Sequence, residues 1–192
     1  LVNGAVGIGT GYSTNVLSYN PTDVINNIRN KLNGDDYVEM LPYYDEFTGK
    51  IQRKKDRDEC PSYCTYGSYT IENNVIKITE IPIGTWTSDY KAYIDSLVID
   101  KSPIKEKDSK KRQEIETLRK KQFIVSYTSI CTPHSIDIQI TANYESMSDH
   151  VMNGKLNTIL KLESKLSTTN MVMFDHKKKL CKYTLVSDIM NE

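Results

Sequence analysis

The sequence predicts a mixed α+β fold in which a mixed or antiparallel sheet is flanked by helices. Three observations carry that expectation. Apolar residues recur at helical spacing after Asn20-Pro21 and again after Thr87. Between Phe47 and Pro82, and from Phe123 to Ala142, the period shortens towards two in runs rich in Tyr, Thr and Ile. The 192 residues suffice for one large domain or two small ones with real cores.

The first thirteen residues set Gly4, Gly7, Gly9 and Gly11 around one bulky apolar residue, Ile8. Glycine leaves room for another backbone to approach closely. Ile8 therefore either anchors a glycine-rich turn in a core or stands as an aliphatic wedge for a partner, of which a DNA base step is one. Asn20 is the expected N-cap of the clearest helix, with Pro21 at its first position and Gly34 as the stop. Val24, Ile25, Ile28 and Leu32 form its expected buried stripe, with Asn27, Asn30 and Lys31 on a solvated face. Strands follow at Phe47–Lys54, at Tyr63–Glu72, and from Val75 towards Ile81-Pro82, the last two joined by an Asn73-Asn74 turn.

Thr87 or Ser88 caps a second predicted helix, which turns Tyr90, Tyr93, Ile94, Leu97 and Val98 inward and stops at Pro103. Residues 105–121 are highly charged and predict a projecting loop followed by a short exposed helix. Strands are expected at Phe123–Ile130 and Ser135–Ala142, then a helical region over Met147–Leu162 weakened by Gly154. An apolar strand at Asn170–Phe174, a basic turn, a strand at Leu180–Tyr183 and a terminal helix carrying Val186, Ile189 and Met190 complete the chain.

Lysine plus arginine balance aspartate plus glutamate at 25 each, so net charge implies no polyanionic partner. Distribution is more informative. Residues 1–49 are acidic, whereas basic residues gather at Lys50–Arg57, Lys101–Lys121 and Lys177–Lys179 with Lys182. Each basic group is read as a solvated face or as a phosphate-binding one. Cys60 and Cys64, with Cys131 and Cys181 elsewhere, lack the four-ligand spacing of structural zinc and are expected as free thiols. Gly4 and Gly9 have Walker A separation, but Thr10 stands where the lysine belongs. His134, His150 and His176 are scattered, with no acid and nucleophile beside any of them. No membrane-length apolar run or leader pattern is present, and the chain reads as an internal piece of something longer.

Three ordered blocks carry a resemblance: Leu1-Val-Asn-Gly4 with Gly7-Ile-Gly-Thr-Gly-Tyr-Ser13, Glu80-Ile-Pro-Ile-Gly-Thr-Trp-Thr87, and Asn170-Met-Val-Met-Phe-Asp175. Together they resemble the eukaryotic-type type IIA DNA topoisomerases over nearly the whole chain, and the Asn- and Tyr-rich divergence is similar to the enzyme of a large cytoplasmic DNA virus. The resemblance implies the tower part of the DNA-cleavage core, following a winged-helix region that bears the catalytic tyrosine. Residues 1–20 would form the DNA-gate wedge loop and link, and 21–192 the tower domain, with a charged projecting segment near 101–121.

On this resemblance Ile8 falls on the residue that inserts between base pairs. Gly7 and Gly9 would admit the DNA backbone beside it, and Lys177, Lys178, Lys179 and Lys182 become candidate phosphate contacts. No catalytic residue, cofactor or metal ligand is implied within these residues. The parent enzyme would use Mg2+ and ATP, act on double-stranded DNA as a homodimer with the remaining topoisomerase domains, and involve no membrane. It would work in the host cytoplasm if viral and in the nucleus if cellular. Three positions depart from the family pattern: Gly84 stands where arginine is common, Tyr12 where tryptophan is, and Val6 where an acid is. Trp86 is expected as a packing residue. The competing expectation is a noncatalytic α/β DNA-binding or protein-interaction domain.

Overall fold

Alternating isoleucines organise the largest sheet. Strands β5 (Ser68–Glu72), β6 (Val75–Glu80), β7 (Ile124–Ser129) and β8 (Ile138–Ala142) run antiparallel in the order β5-β6-β8-β7. Register sets Ile76 opposite Ile140 and Ile78 opposite Ile138, and all four are fully buried. Such directly opposed pairs on one face are the unit of sheet stabilisation. The computed structural model describes residues 1–54, 60–100, 102, 109–119, 122–132 and 134–192.

The chain divides into two units. One comprises Leu1–Phe47, Ile51–Thr65 and Lys165–Glu192; the other comprises Thr48–Lys50 and Tyr66–Ser164 and holds the four-stranded sheet. In this second unit, helices α2 (Thr87–Ser96), α4 (Tyr144–Met152) and α5 (Leu156–Ile159) supply Tyr90, Ile94, Met147 and Leu156 to the sheet's core. Tyr90 donates its hydroxyl to the Leu160 carbonyl at 2.8 Å, and burial pushes its pKa upward. Helix α3 (Ser109–Arg119) ends on Arg119, which meets the Asp100 carboxylate at 2.8 Å. Of the expected charged projection, residues 101, 103–108, 120 and 121 lie outside the described residues, as does the expected terminator Pro103.

Local chemistry moves several boundaries. The strand expected over Tyr63–Glu72 is two, β4 (Ser62–Tyr66) and β5, divided at Gly67. The Gly67 amide donates to Leu162 at 3.0 Å, and a Cβ there would press on the Glu80 carbonyl oxygen, so only glycine fits. Asn73 holds a left-handed φ of 56° in the two-residue turn between β5 and β6, a conformation asparagine tolerates. Trp86, not Thr87 or Ser88, occupies the N-cap of α2. It is 77% exposed, contrary to its expected packing role within this chain.

The first unit begins with two strands in a segment expected to be a loop, β1 (Ala5–Gly9) and β2 (Tyr12–Val16), paired as a hairpin. Helix α1 (Pro21–Asn33) has the predicted bounds: the Asn20 side chain accepts from the Thr22 amide, and Gly34 ends the helix at φ 89°. A three-stranded sheet, in the order β3 (Lys50–Lys54), β4, β9 (Glu163–Ser167), lies mostly in this unit. Strands β10 (Met171–Phe174) and β11 (Leu180–Tyr183) form a second hairpin, followed by α6 (Val186–Met190).

The expected buried face of α1 is corrected. Val24 packs as expected against the cluster of Leu17, Tyr19 and Met40, but Ile25, Ile28 and Leu32 are exposed, whereas Asn27 is buried. The returning loop is the cause. Asn27 accepts from the Val38 amide at 2.7 Å and donates to the Val38 carbonyl at 3.0 Å, while Lys31 lies 5.3 Å from the Tyr37 ring centroid. An irregular segment against a helix leaves backbone groups that need partners, and a carboxamide satisfies both kinds at once. Asn27→Ala is expected to lower stability by about 1–3 kcal/mol in urea unfolding, with no rescue by Asn27→Leu. Equal stability of all three proteins would show the paired bonds to be inconsequential.

Candidate nucleic-acid interface

The glycine-rich segment forms a largely exposed hairpin through strand pairing. In the β1–β2 hairpin, Ile8 pairs with Ser13 and Gly9 with Tyr12 across a two-residue Thr10-Gly11 turn. Gly11 takes a φ of 81°, which the turn demands and a side chain would resist. Ile8 is 90% exposed, so it anchors no core within this chain. Gly7 and Gly9 are different from Gly11. A Cβ added at Gly7 would meet only the Thr14 methyl at 3.5 Å, and one at Gly9 only the Tyr12 carbonyl oxygen at 3.6 Å, both ordinary contacts. Neither residue has a left-handed φ. Nothing inside the fold requires glycine at these two positions flanking Ile8.

The second hairpin is fastened to the first. The Asn15 amide donates to the Asn170 carbonyl at 2.7 Å, and the Asn170 carboxamide donates to the Ser13 hydroxyl at 2.5 Å. Ser13 is the residue opposite Ile8, so the tie falls directly across the hairpin from that side chain. Beneath, Val16, Met171 and Tyr183 form a buried cluster with Met173, Cys181 and Ile189 against it.

The turn of this second hairpin carries the lysines. The Asp175 carboxylate accepts from the Lys177 and Lys179 amides at 2.9 and 2.8 Å, and Lys178 adopts a φ of 60° between them. The Lys179 amide foremost holds the Asp175 carboxyl below the usual range. Lys177, Lys178, Lys179 and Lys182 are all exposed. Among the described residues no carboxylate lies within ion-pair distance of these four ammonium groups.

His176, in the same turn, meets Glu192 at 2.5 Å, which raises its pKa and lowers that of Glu192. The signs define a window. The histidine's contribution is complete below its unfolded value and is lost as pH rises through its higher folded value. The Glu192 contribution is lost as pH falls through its depressed one. An NMR titration should place the His176 midpoint above the ordinary 6.5, and Glu192→Gln should return it towards that value. Coincident midpoints would contradict the pairing.

The other titratable groups are not brought together. His150 packs edge-on against Phe123 in the second unit, and His134 lies in the turn before β8. All four cysteines are free. Among the described residues no three His, Cys, Asp or Glu side chains converge as metal donors. The Gly4–Gly9 spacing falls on one arm of a β-hairpin, not on a loop opening into a helix. The hairpin itself had a sequence signal that composition obscured: Val6 and Ile8 alternate with glycines up to a Thr10-Gly11 turn.

Comparison with known proteins places this arrangement. The family model for the A-subunit of DNA gyrase/topoisomerase IV matches residues 1–192. DNA topoisomerase 2 of Plasmodium falciparum is 34% identical over 193 residues, covering 100% of this chain and 12% of that protein. DNA topoisomerase 2 of Acanthamoeba polyphaga mimivirus is 30% identical over 230 residues, covering 99% of this chain and 18% of that protein. A crystal structure of the Plasmodium falciparum topoisomerase II DNA-binding, cleavage and re-ligation domain superposes with a TM-score of 0.80 at 33% identity, covering 100% of this chain and 23% of that one. The chain thus spans under a fifth of the length of either curated relative. With the family model matched from the first residue to the last, the chain belongs to the DNA gyrase/topoisomerase IV A-subunit family.

Proposed function

We propose that these residues bind and bend the gate segment of DNA in an ATP-dependent type II topoisomerase, which passes one duplex through a transient double-strand break in another. The observation that carries this reading is Ile8, 90% exposed between two glycines that the fold does not need. An aliphatic side chain held out this way suits insertion at a base step, where unstacking costs a few kcal/mol and is recovered through tighter wrapping. Gly7 and Gly9 let the DNA backbone approach the wedge, and Lys177, Lys178, Lys179 and Lys182 neutralise phosphates without choosing sequence. The matches to proteins named DNA topoisomerase 2 support the same reading.

Cleavage chemistry belongs elsewhere in the parent. This chain's residues are assigned positioning and bending, resting on the exposed Ile8 and the lysine turn. Mg2+, ATP and the tyrosine nucleophile are supplied by other domains of a homodimeric parent. That parent works in the host cytoplasm if viral and in the nucleus if cellular. No described helix is long and apolar enough to cross a membrane.

The test is ATP-dependent separation of interlocked DNA circles by the full-length parent. Unlinking supports the proposal; a parent that binds DNA but never unlinks circles overturns it. Gly7→Ala examines the glycines separately. It should leave urea unfolding of the chain unchanged, or raise its stability by up to about 1 kcal/mol, while weakening DNA binding by the parent. Full binding by Gly7→Ala would show that no partner needs the space.

A further inference from the structure

The β10–β11 hairpin presents an apolar face that the wedge and the lysines leave unexplained. Cross-strand pairs Val172–Lys182 and Phe174–Leu180 lie on one side, while Met171–Tyr183 and Met173–Cys181 lie on the other and close on the buried cluster around Val16. Phe174 is 69% exposed. An exposed phenylalanine beside a charged turn forgoes the burial that normally favours its ring.

This face is continuous with the wedge. Val172 and Leu180 line one groove of about 280 Å³ with Gly7, Ile8, Gly9 and Tyr12. The Asn170 bonds to Ser13 and Asn15 hold the two hairpins side by side. The surrounding charge is cationic: the four lysines have no acidic partner among the described residues, Asp175 is occupied by backbone amides, and Glu192 is occupied by His176. A duplex offers the complementary alternation, with phosphates bordering the apolar faces of deoxyriboses in the minor groove.

We propose that Phe174, supported by Val172 and Leu180, is a second apolar contact to the duplex, lying against deoxyribose beside the base step that Ile8 opens. The inference rests on the wedge reading of Ile8 and extends it from one apolar contact point to two. The bend is then held by a pair of contacts on hairpins that hydrogen bonds lock together, so one cannot shift without the other.

Photocrosslinking in the full-length parent tests it. Phe174 and, separately, Ile8 are replaced by p-benzoylphenylalanine, and each protein is irradiated on a defined duplex. Both positions are expected to crosslink to DNA, with position 174 reaching nucleotides that flank those reached from position 8. DNA crosslinks from position 8 with only protein crosslinks, or none, from position 174 overturn this inference and leave the wedge intact. If neither position crosslinks while the duplex stays bound, both readings fail. Phe174→Ala should also weaken duplex binding roughly tenfold with an unchanged salt slope, since an apolar contact releases no counterions. Unaltered affinity would overturn the contact as well.

Discussion

Ile8→Ala in the full-length parent should lower DNA cleavage about 10- to 100-fold while ATP hydrolysis without DNA stays near the wild-type rate. The size follows from the side chain removed. Burying a branched aliphatic group contributes about 1.5–3 kcal/mol, and every 1.4 kcal/mol is a factor of about ten in the population of the bent complex. Ile8 gives up almost none of that surface within its own chain, being 90% exposed. The substitution therefore takes nothing from a core, and unfolding of the chain should be unaffected. Loss of cleavage together with a large loss of stability would place Ile8 in packing instead of in contact with DNA.

The second large effect concerns charge. Replacing Lys177, Lys178 and Lys179 by Gln should make the plot of log affinity against log salt shallower by about 0.9 for each lysine that sits on a phosphate, and by about 2.7 for all three. At physiological salt that corresponds to a loss on the order of 100-fold, the same for unrelated DNA sequences. The prediction depends on the turn's architecture: Asp175 spends its carboxylate on the Lys177 and Lys179 amides, so it leaves their ammonium groups without an acidic partner. Asp175→Ala should therefore loosen the turn without adding free positive charge at the lysine tips. An unchanged salt slope in the triple variant would show the lysines to be ordinary solvated charges.

How much was legible in advance depended on how far each determinant reaches along the chain. The bounds of α1 were readable because Asn20, Pro21 and Gly34 act within a turn of each end. Its buried face was not, because Asn27 is claimed by Val38 in a loop that returns eleven residues later. The strands around Ile76, Ile78, Ile138 and Ile140 declared themselves by alternation, while their pairing order β5-β6-β8-β7 is a long-range outcome. Gly67 splits a run that looked continuous, since the clash it avoids is with Glu80 across the sheet. At the candidate site, the mixture of Ile8 and glycines was visible at once. That the mixture is a hairpin, that Asn170 ties it to the hairpin carrying the lysine turn, and that Phe174 faces outward all depend on strand pairing, which for the Asn170–Ser13 tie spans 157 residues. The size of Trp86 suggests packing, whereas at the N-cap of α2 it stands exposed.

The most direct measurement is energy transfer between dyes on the two arms of a duplex saturated with the full-length parent, wild type against Ile8→Ala. Dye separation in the wild-type complex should be shorter than in free DNA, and the variant should move it back towards the free value at equal occupancy. Identical dye separations in the two complexes would contradict the claim that the side chain at position 8 bends the gate.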